Sequence, residues 1–209
     1  MCCDGSLKNH CGSFAYDIAA AGSDSLLFKQ HAPAHRDPDQ LSSTRCELLG
    51  ILACVEYLRY LSTKHTFDRK YFILITTDNK SAIASPTKQL KSIQYSFMSD
   101  GGDLIRSIQS IALTLPFRIR FQCIKGHQDK YKAYADLSPL AKLNVQMDSH
   151  AKLYFTDPSL APQYSLNHPF FIHEQVLIRD SHSRIVKNFK TNLTQTSVGL
   201  QAENKSCIH

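Results

Sequence analysis

The stretch that most constrains this chain is YFILITTDNK, residues 71–80. Apolar residues run from Tyr71 to Ile75 and lead through Thr76 and Thr77 to Asp78. β-Branched and aromatic residues packed this densely predict a strand buried on both faces. Such a strand needs structure layered on either side of it, which calls for an α/β architecture. It also poses a problem. A carboxylate delivered to the end of a buried strand is costly to desolvate unless something compensates its charge.

The rest of the chain supplies the layers. GSFAYDIAAA and SLLFKQHAPAH read as strands, with a turn at Gly22-Ser23-Asp24. After the loop RDPDQLSST, Glu47, Ile51, Val55 and Leu58 recur at helical spacing, and Leu48 and Leu52 widen the stripe. From Asn79 to Pro116 the pattern is helical but broken, at Pro86 and again at Gly101-Gly102. FRIRFQCIKGH alternates arginine with Phe and Ile, as a half-exposed strand does. A polar loop at 126–138 leads to a last helix, with Leu140, Leu143, Met147, Ala151 and Tyr154 on one stripe. The predicted order is three strands, helix, strand, helices, strand, helix.

Past Asp157-Pro158 the texture changes, with Pro158, Pro162 and Pro169 close together. The expected division is therefore a domain over 1–155 and an extension over 156–209. EQVLIRDSHSRIVKNF predicts a hairpin within 170–191, followed by a polar, frayed end.

At 209 residues and 43% apolar, the chain has enough for one core. Its net charge is +6, and 19 of its 24 Lys and Arg, with 14 of its 18 Asp and Glu, lie in 1–155. Nearly all the excess thus sits in the first domain, a balance that favours a polyanionic partner. No run approaches the ~20 apolar residues of a membrane span. Seven cysteines without a secretory signal predict a reducing, intracellular location, cytoplasm or nucleus. Their scattered positions argue against structural zinc, and Pro33 inside HAPAH argues against a helical histidine pair.

Four acids stand at the ends or on the stripes of core elements: Asp4, Glu47, Asp78 and Asp148. Each also has a purely local reading. Asp4-Gly5 is a common turn pair, Thr44 and Glu47 have capping-box spacing, Asp78-Asn79 suits a helix cap, and Asp148 suits a solvent edge. Taken together, they answer the problem of Asp78 if a divalent cation neutralises them. Magnesium prefers oxygen ligands, and four acids can hold two ions ~3.5–4 Å apart for phosphodiester cleavage.

CDGS, STRCELLGILACVEYL, ILITTDNKSAI, IKGHQD and LAKLNVQMDSHAK resemble, in order and interval, the successive motifs of the ribonuclease H family, over residues 3 to about 155. KGHQD and LNV are most similar to the ribonuclease H domains of eukaryotic reverse-transcribing mobile elements. The segment after residue 170 is similar, less specifically, to one that follows this domain in their polyproteins. The resemblance implies a mixed five-stranded sheet flanked by helices and cleavage of the RNA strand of RNA–DNA hybrids. It implies two magnesium ions, with manganese as an alternative, and a reverse transcriptase domain as partner in the same polyprotein. Asp4, Glu47, Asp78 and Asp148 then bind metal, and His127 assists proton movement or product release. Gly5, Ser6, Thr44, Asn79 and Asn144 contact the hybrid, with Lys80, Lys88 and Lys91 as candidates for the DNA phosphates.

The family's first strand begins several residues before its aspartate, whereas only three residues precede Asp4. A clipped first strand is therefore expected. It keeps open a catalytically inactive module that binds nucleic acid or acts as a scaffold. A DNA-cleaving relative of the same fold is a further reading.

Overall fold

The computed structural model describes residues 1–34, 41–67, 72–87 and 101–156. Three strands come first: β1 (Cys3–Lys8), β2 (Cys11–Ala19) and β3 (Leu26–Ala34). Then follow helix α1 (Ser43–Lys64), strand β4 (Phe72–Thr77), and helices α2 (Lys80–Thr87) and α3 (Gly102–Thr114). Strand β5 (Arg118–Cys123) and helix α4 (Pro139–Thr156) complete the order, with short 3₁₀ turns at Gln128–Lys130 and Tyr134–Asp136 between them. The predicted hairpin at 170–191, Lys88 and Lys91 lie outside the described residues.

Strands β1, β2 and β3 form an antiparallel sheet in that order, with Asp4 opposite Ala15. Strands β4 and β5 form a separate parallel pair. Among the described residues five strands are present, in two sheets rather than the single five-stranded one that the family resemblance implied. The reason is local. Met1 and Cys2 run beside β4, and the ladder there is one parallel bridge, Cys2 to Thr76, with a few backbone bonds. Thr76 N–H donates to Met1 C=O at 3.0 Å, and the Met1 amine donates to Leu74 C=O at 2.9 Å.

The two-residue period of the strands sorts their side chains onto two faces. Phe14 and Tyr16 of β2 point into the larger core with Leu48, Ile51, Val55 and Ile108. Ala15 between them joins Cys2, Leu143, Met147 and Ala151 of α4 on the other face. Ser13 is buried on the α4 side, and its hydroxyl donates to Ala151 C=O at 2.6 Å. The helix stripes predicted at Glu47–Leu58 and Leu140–Tyr154 are the buried ones, save that Leu140 is only partly covered.

Ser42 caps α1 by accepting from Arg45 N–H at 3.0 Å. That leaves Glu47 without the capping-box role its spacing from Thr44 allowed. Arg45 and Asp103, both buried, form a two-pronged ion pair that ties the start of α1 to the start of α3, with Nη1 to Oδ1 at 2.7 Å. Two bonds in the plane of the guanidinium give such a pair its geometric definition.

β4 is less enclosed than its composition predicts. Ile75, Thr76 and Thr77 are buried, Ile73 and Leu74 only partly, and Phe72 is 47% exposed. The cause is that α4 packs on β1, β2 and β3. Over Phe72 lies the Arg120 guanidinium, 4.0 Å from the ring centroid, a cation–π lid in place of a helix.

Gly5 sets the contact between β1 and α1. A Cβ there would lie 2.5 Å from the Cys46 carbonyl carbon and overlap the Glu47 backbone nitrogen. With no side chain at residue 5, the first turn of α1 sits against the strand and brings Glu47 beside Asp4. Gly5→Ala is expected to lower stability by about 1–3 kcal/mol, as overpacking does, measured by denaturant unfolding. An unchanged midpoint would show that the two elements part freely. No helix among the described residues is long and apolar enough to cross a membrane.

Candidate active site

Three elements deliver acids to one place. Asp4 comes from β1, Glu47 from α1, and Asp78 from the residue after β4. Their carboxylate oxygens lie within 4.8 Å of one another. Asp4 and Glu47 are almost wholly buried, and Asp78 is partly so. Glu47 is held in place by Thr77, whose hydroxyl donates to Oε2 at 2.7 Å. Thr77 was not among the expected site residues. Its signal was the doubled threonine, which puts a hydroxyl inside an otherwise apolar strand end.

Gly126 matters to Asp78 as Gly5 does to Glu47. A Cβ at 126 would overlap the Asp78 carboxylate and come within 2.9 Å of its Cγ. The loop after β5 therefore folds over Asp78 only because it carries glycine at that point. His127, the next residue, adopts the left-handed conformation at φ 50°, ψ 38°, which non-glycine residues rarely occupy and which recurs at functional sites.

The electrostatics follow from the crowding. Burial first, then the charge of Glu47 and a hydrogen bond to it, push Asp4 up to about 10. Burial also raises Glu47, to about 7, although the Thr77 hydroxyl, Asp4 and Gly5 N–H all donate to it. Asp78 is raised by burial, opposed by His127 and reinforced by Asp148. Like charges confined in a desolvated space hold protons, and here burial and mutual repulsion outweigh the opposing charges of His127 and Lys152 near Asp78. Oxygen donors alone, short of positive charge, suit a hard divalent cation such as magnesium. Asp4, Glu47 and Asp78 are the residues that would hold it.

Asp148 stands at the edge of this group. Its charge bears on Asp4 and Asp78, but the tight triad does not include it. Its Oδ2 accepts from Lys152 Nζ at 2.6 Å, one helical turn on, and lies 3.9 Å from His127 Nδ1. So the sequence-predicted acids converge as three plus one, with His127 beside the fourth.

The expected hybrid contacts are placed unevenly. Gly5, Ser6, Thr44 and Asn79 are partly exposed and Lys80 is exposed. Asn79 Oδ1 accepts from Ala82 N–H at 3.0 Å and caps α2, so the cap predicted for the Asp78-Asn79 pair belongs to Asn79 alone. Asn144 is 2% exposed, and its Nδ2 has no partner among the described residues.

Antiparallel and parallel strands with helices packed on them, and carboxylates gathered where β1, α1 and β4 meet, match the ribonuclease H fold. A ribonuclease H1 isolated from compost by a metagenomic approach matches it with TM-score 0.50 at 12% identity, over 75% of this chain and 96% of that one. Also similar are the N-terminal ribonuclease H domain of a Mycobacterium tuberculosis protein (TM-score 0.47, 13% identity, 73% of this chain and 94% of that one) and the PFV ribonuclease H domain (0.44, 16%, 71% and 93%). No protein-family model matches the chain, and no curated protein matches it closely.

Proposed function

We propose that this protein is a metal-dependent ribonuclease H that hydrolyses the RNA strand of RNA–DNA hybrids. The observation that carries the reading is the triad: three carboxylates from three elements, two of them buried and the third partly so, with oxygen atoms within 4.8 Å of one another. A stable fold has little reason to gather acids this way, since each raises the cost of ionising the others.

Asp4, Glu47 and Asp78 would hold divalent cations, which when bound would supply the positive charge that phosphodiester hydrolysis needs at the attacking water and the departing 3′ oxygen. The chain's own residues do the rest. Asp4, Glu47 and Asp78 bind, and Asp148 closes the open side. Thr77 fixes the rotamer of Glu47, and Gly126 leaves Asp78 room. His127 sits beside Asp148 on an exposed loop, where it moves protons at the rim and eases product release. Thr44, Asn79, Ser6 and the Gly5 backbone face the hybrid, where 2′-hydroxyls distinguish RNA from DNA. A role in a reverse transcriptase polyprotein, in cytoplasm or nucleus, belongs to the same reading.

The test is cleavage of matched hybrid, RNA duplex and DNA duplex in magnesium or manganese. Cleavage of the RNA strand of the hybrid alone is expected. Cutting of DNA duplex instead points to the DNA-cleaving branch of the fold, and no cutting with intact hybrid binding points to the inactive module. His127→Ala is expected to slow single-turnover cleavage by about 10- to 100-fold without ending it. Complete loss would give His127 a larger part than assigned here.

A further inference from the structure

The loop that leaves β5 carries a second group of side chains, which the acids do not use. Every residue from Asp129 to Asp136 is exposed. Within it Tyr131 is 77% and Tyr134 45% exposed. Single exposed apolar residues are ordinary, but these two rings are held in place. Lys125 Nζ stands 5.2 Å from the Tyr131 centroid, and Lys142 Nζ 5.7 Å from that of Tyr134. Gln146 Nε2 donates to the Tyr134 hydroxyl at 2.8 Å.

The backbone beneath is fixed as well. Tyr131 N–H and Lys132 N–H both donate to Gln128 C=O at 3.1 Å, and Gln128 Nε2 donates to Lys125 C=O at 2.7 Å. An ordered loop thus displays two aromatic faces with ammonium groups against them. Lys125, Lys130 and Lys132 outnumber Asp129 and Asp136 within it, and Lys142 is shared with Asp24 at 3.3 Å.

Aromatic rings interleaved with lysines form the chemistry that holds single-stranded nucleic acid, because every base has a stackable face and every nucleotide a phosphate. Bases inside a duplex are already covered above and below, so an exposed ring can stack only on an unpaired one. We propose that Tyr131 and Tyr134, backed by Lys125 and Lys142, form a stacking platform for a single-stranded extension that continues from the duplex at the acid cluster. Tyr131 lies four residues beyond His127, so one loop serves both the cleavage rim and the unpaired strand. The duplex half of this statement rests on the function proposed above; the platform does not.

The test uses the full chain in metal-free buffer and anisotropy of labelled oligonucleotides. The probes are a blunt RNA–DNA hybrid, the same hybrid with a single-stranded extension of about ten nucleotides on either end, and the single strand alone. The wild type is expected to prefer the extended hybrid. Tyr131→Ala and Tyr134→Ala should each remove about five- to tenfold of that preference and leave blunt-hybrid binding unchanged. Tyr131→Phe should retain it, since the ring face carries the contact. Equal wild-type affinity for blunt and extended hybrids would overturn the platform, as would a loss shared by the blunt hybrid or by Tyr131→Phe. Binding of the single strand without binding of blunt hybrid would keep the platform and sink the hybrid-nuclease reading instead.

Discussion

Asp78→Asn is expected to end cleavage, by on the order of 10³-fold or more, while hybrid binding stays largely intact. Asparagine matches aspartate in shape, so the space beside Gly126 is filled as before. What changes is charge. The variant loses one of three anionic donors at the point where Asp4 and Glu47 converge, and a neutral amide is a poor ligand for a hard cation. Binding is spread over many other groups and needs no carboxylate. Single-turnover cleavage in magnesium and anisotropy without it separate the two quantities. A variant that cuts at the wild-type rate would remove Asp78 from the chemistry.

The second large effect is on stability and needs no substrate. In the folded state Glu47 is raised to about 7 and Asp4 to about 10, whereas both titrate near 4 in an unfolded chain. Between those limits the folded protein holds protons that the unfolded chain has released, so stability falls as pH rises. Buried Asp17, raised to about 6, acts in the same direction. The melting temperature of metal-free protein should therefore drop steadily from pH 5 to pH 9. Magnesium should restore it, more at pH 8 than at pH 5, because it takes the place of protons already leaving. Asp4→Asn should raise the melting temperature of the metal-free protein at pH 8, since an amide is neutral there without taking up a proton. A melting temperature that rises with pH, or a magnesium effect equal at both pH values, would contradict this account.

Which features were legible in the sequence follows from which ones are local. Asp78 was conspicuous because a buried strand ran straight into it. Glu47 was conspicuous because an acid occupied an apolar helical stripe. The strands and helices of residues 1–156 were visible for the same reason, since period and turn residues are properties of short windows. Asp148 was legible only in part. Its face on α4 was readable, but the partner its carboxylate takes, Lys152 one turn away, depends on side-chain positions that no short window of sequence fixes.

Features that join distant parts of the chain stayed hidden. The Arg45–Asp103 pair spans 58 residues, and its trace in the sequence is an arginine at the start of an apolar helix, which ordinarily signals nothing. Apolar content predicted that β4 would be enclosed, yet enclosure depended on where α4 comes to rest.

The slender join between the sheets gives the acid triad a second significance. Asp4 and Glu47 belong to one sheet and its helix, while Asp78 belongs to the other, and the ladder between them is a single bridge. A cation gripped from both sides would thus act as a rivet across this thin seam, so that loading the site and locking the architecture around it become one event.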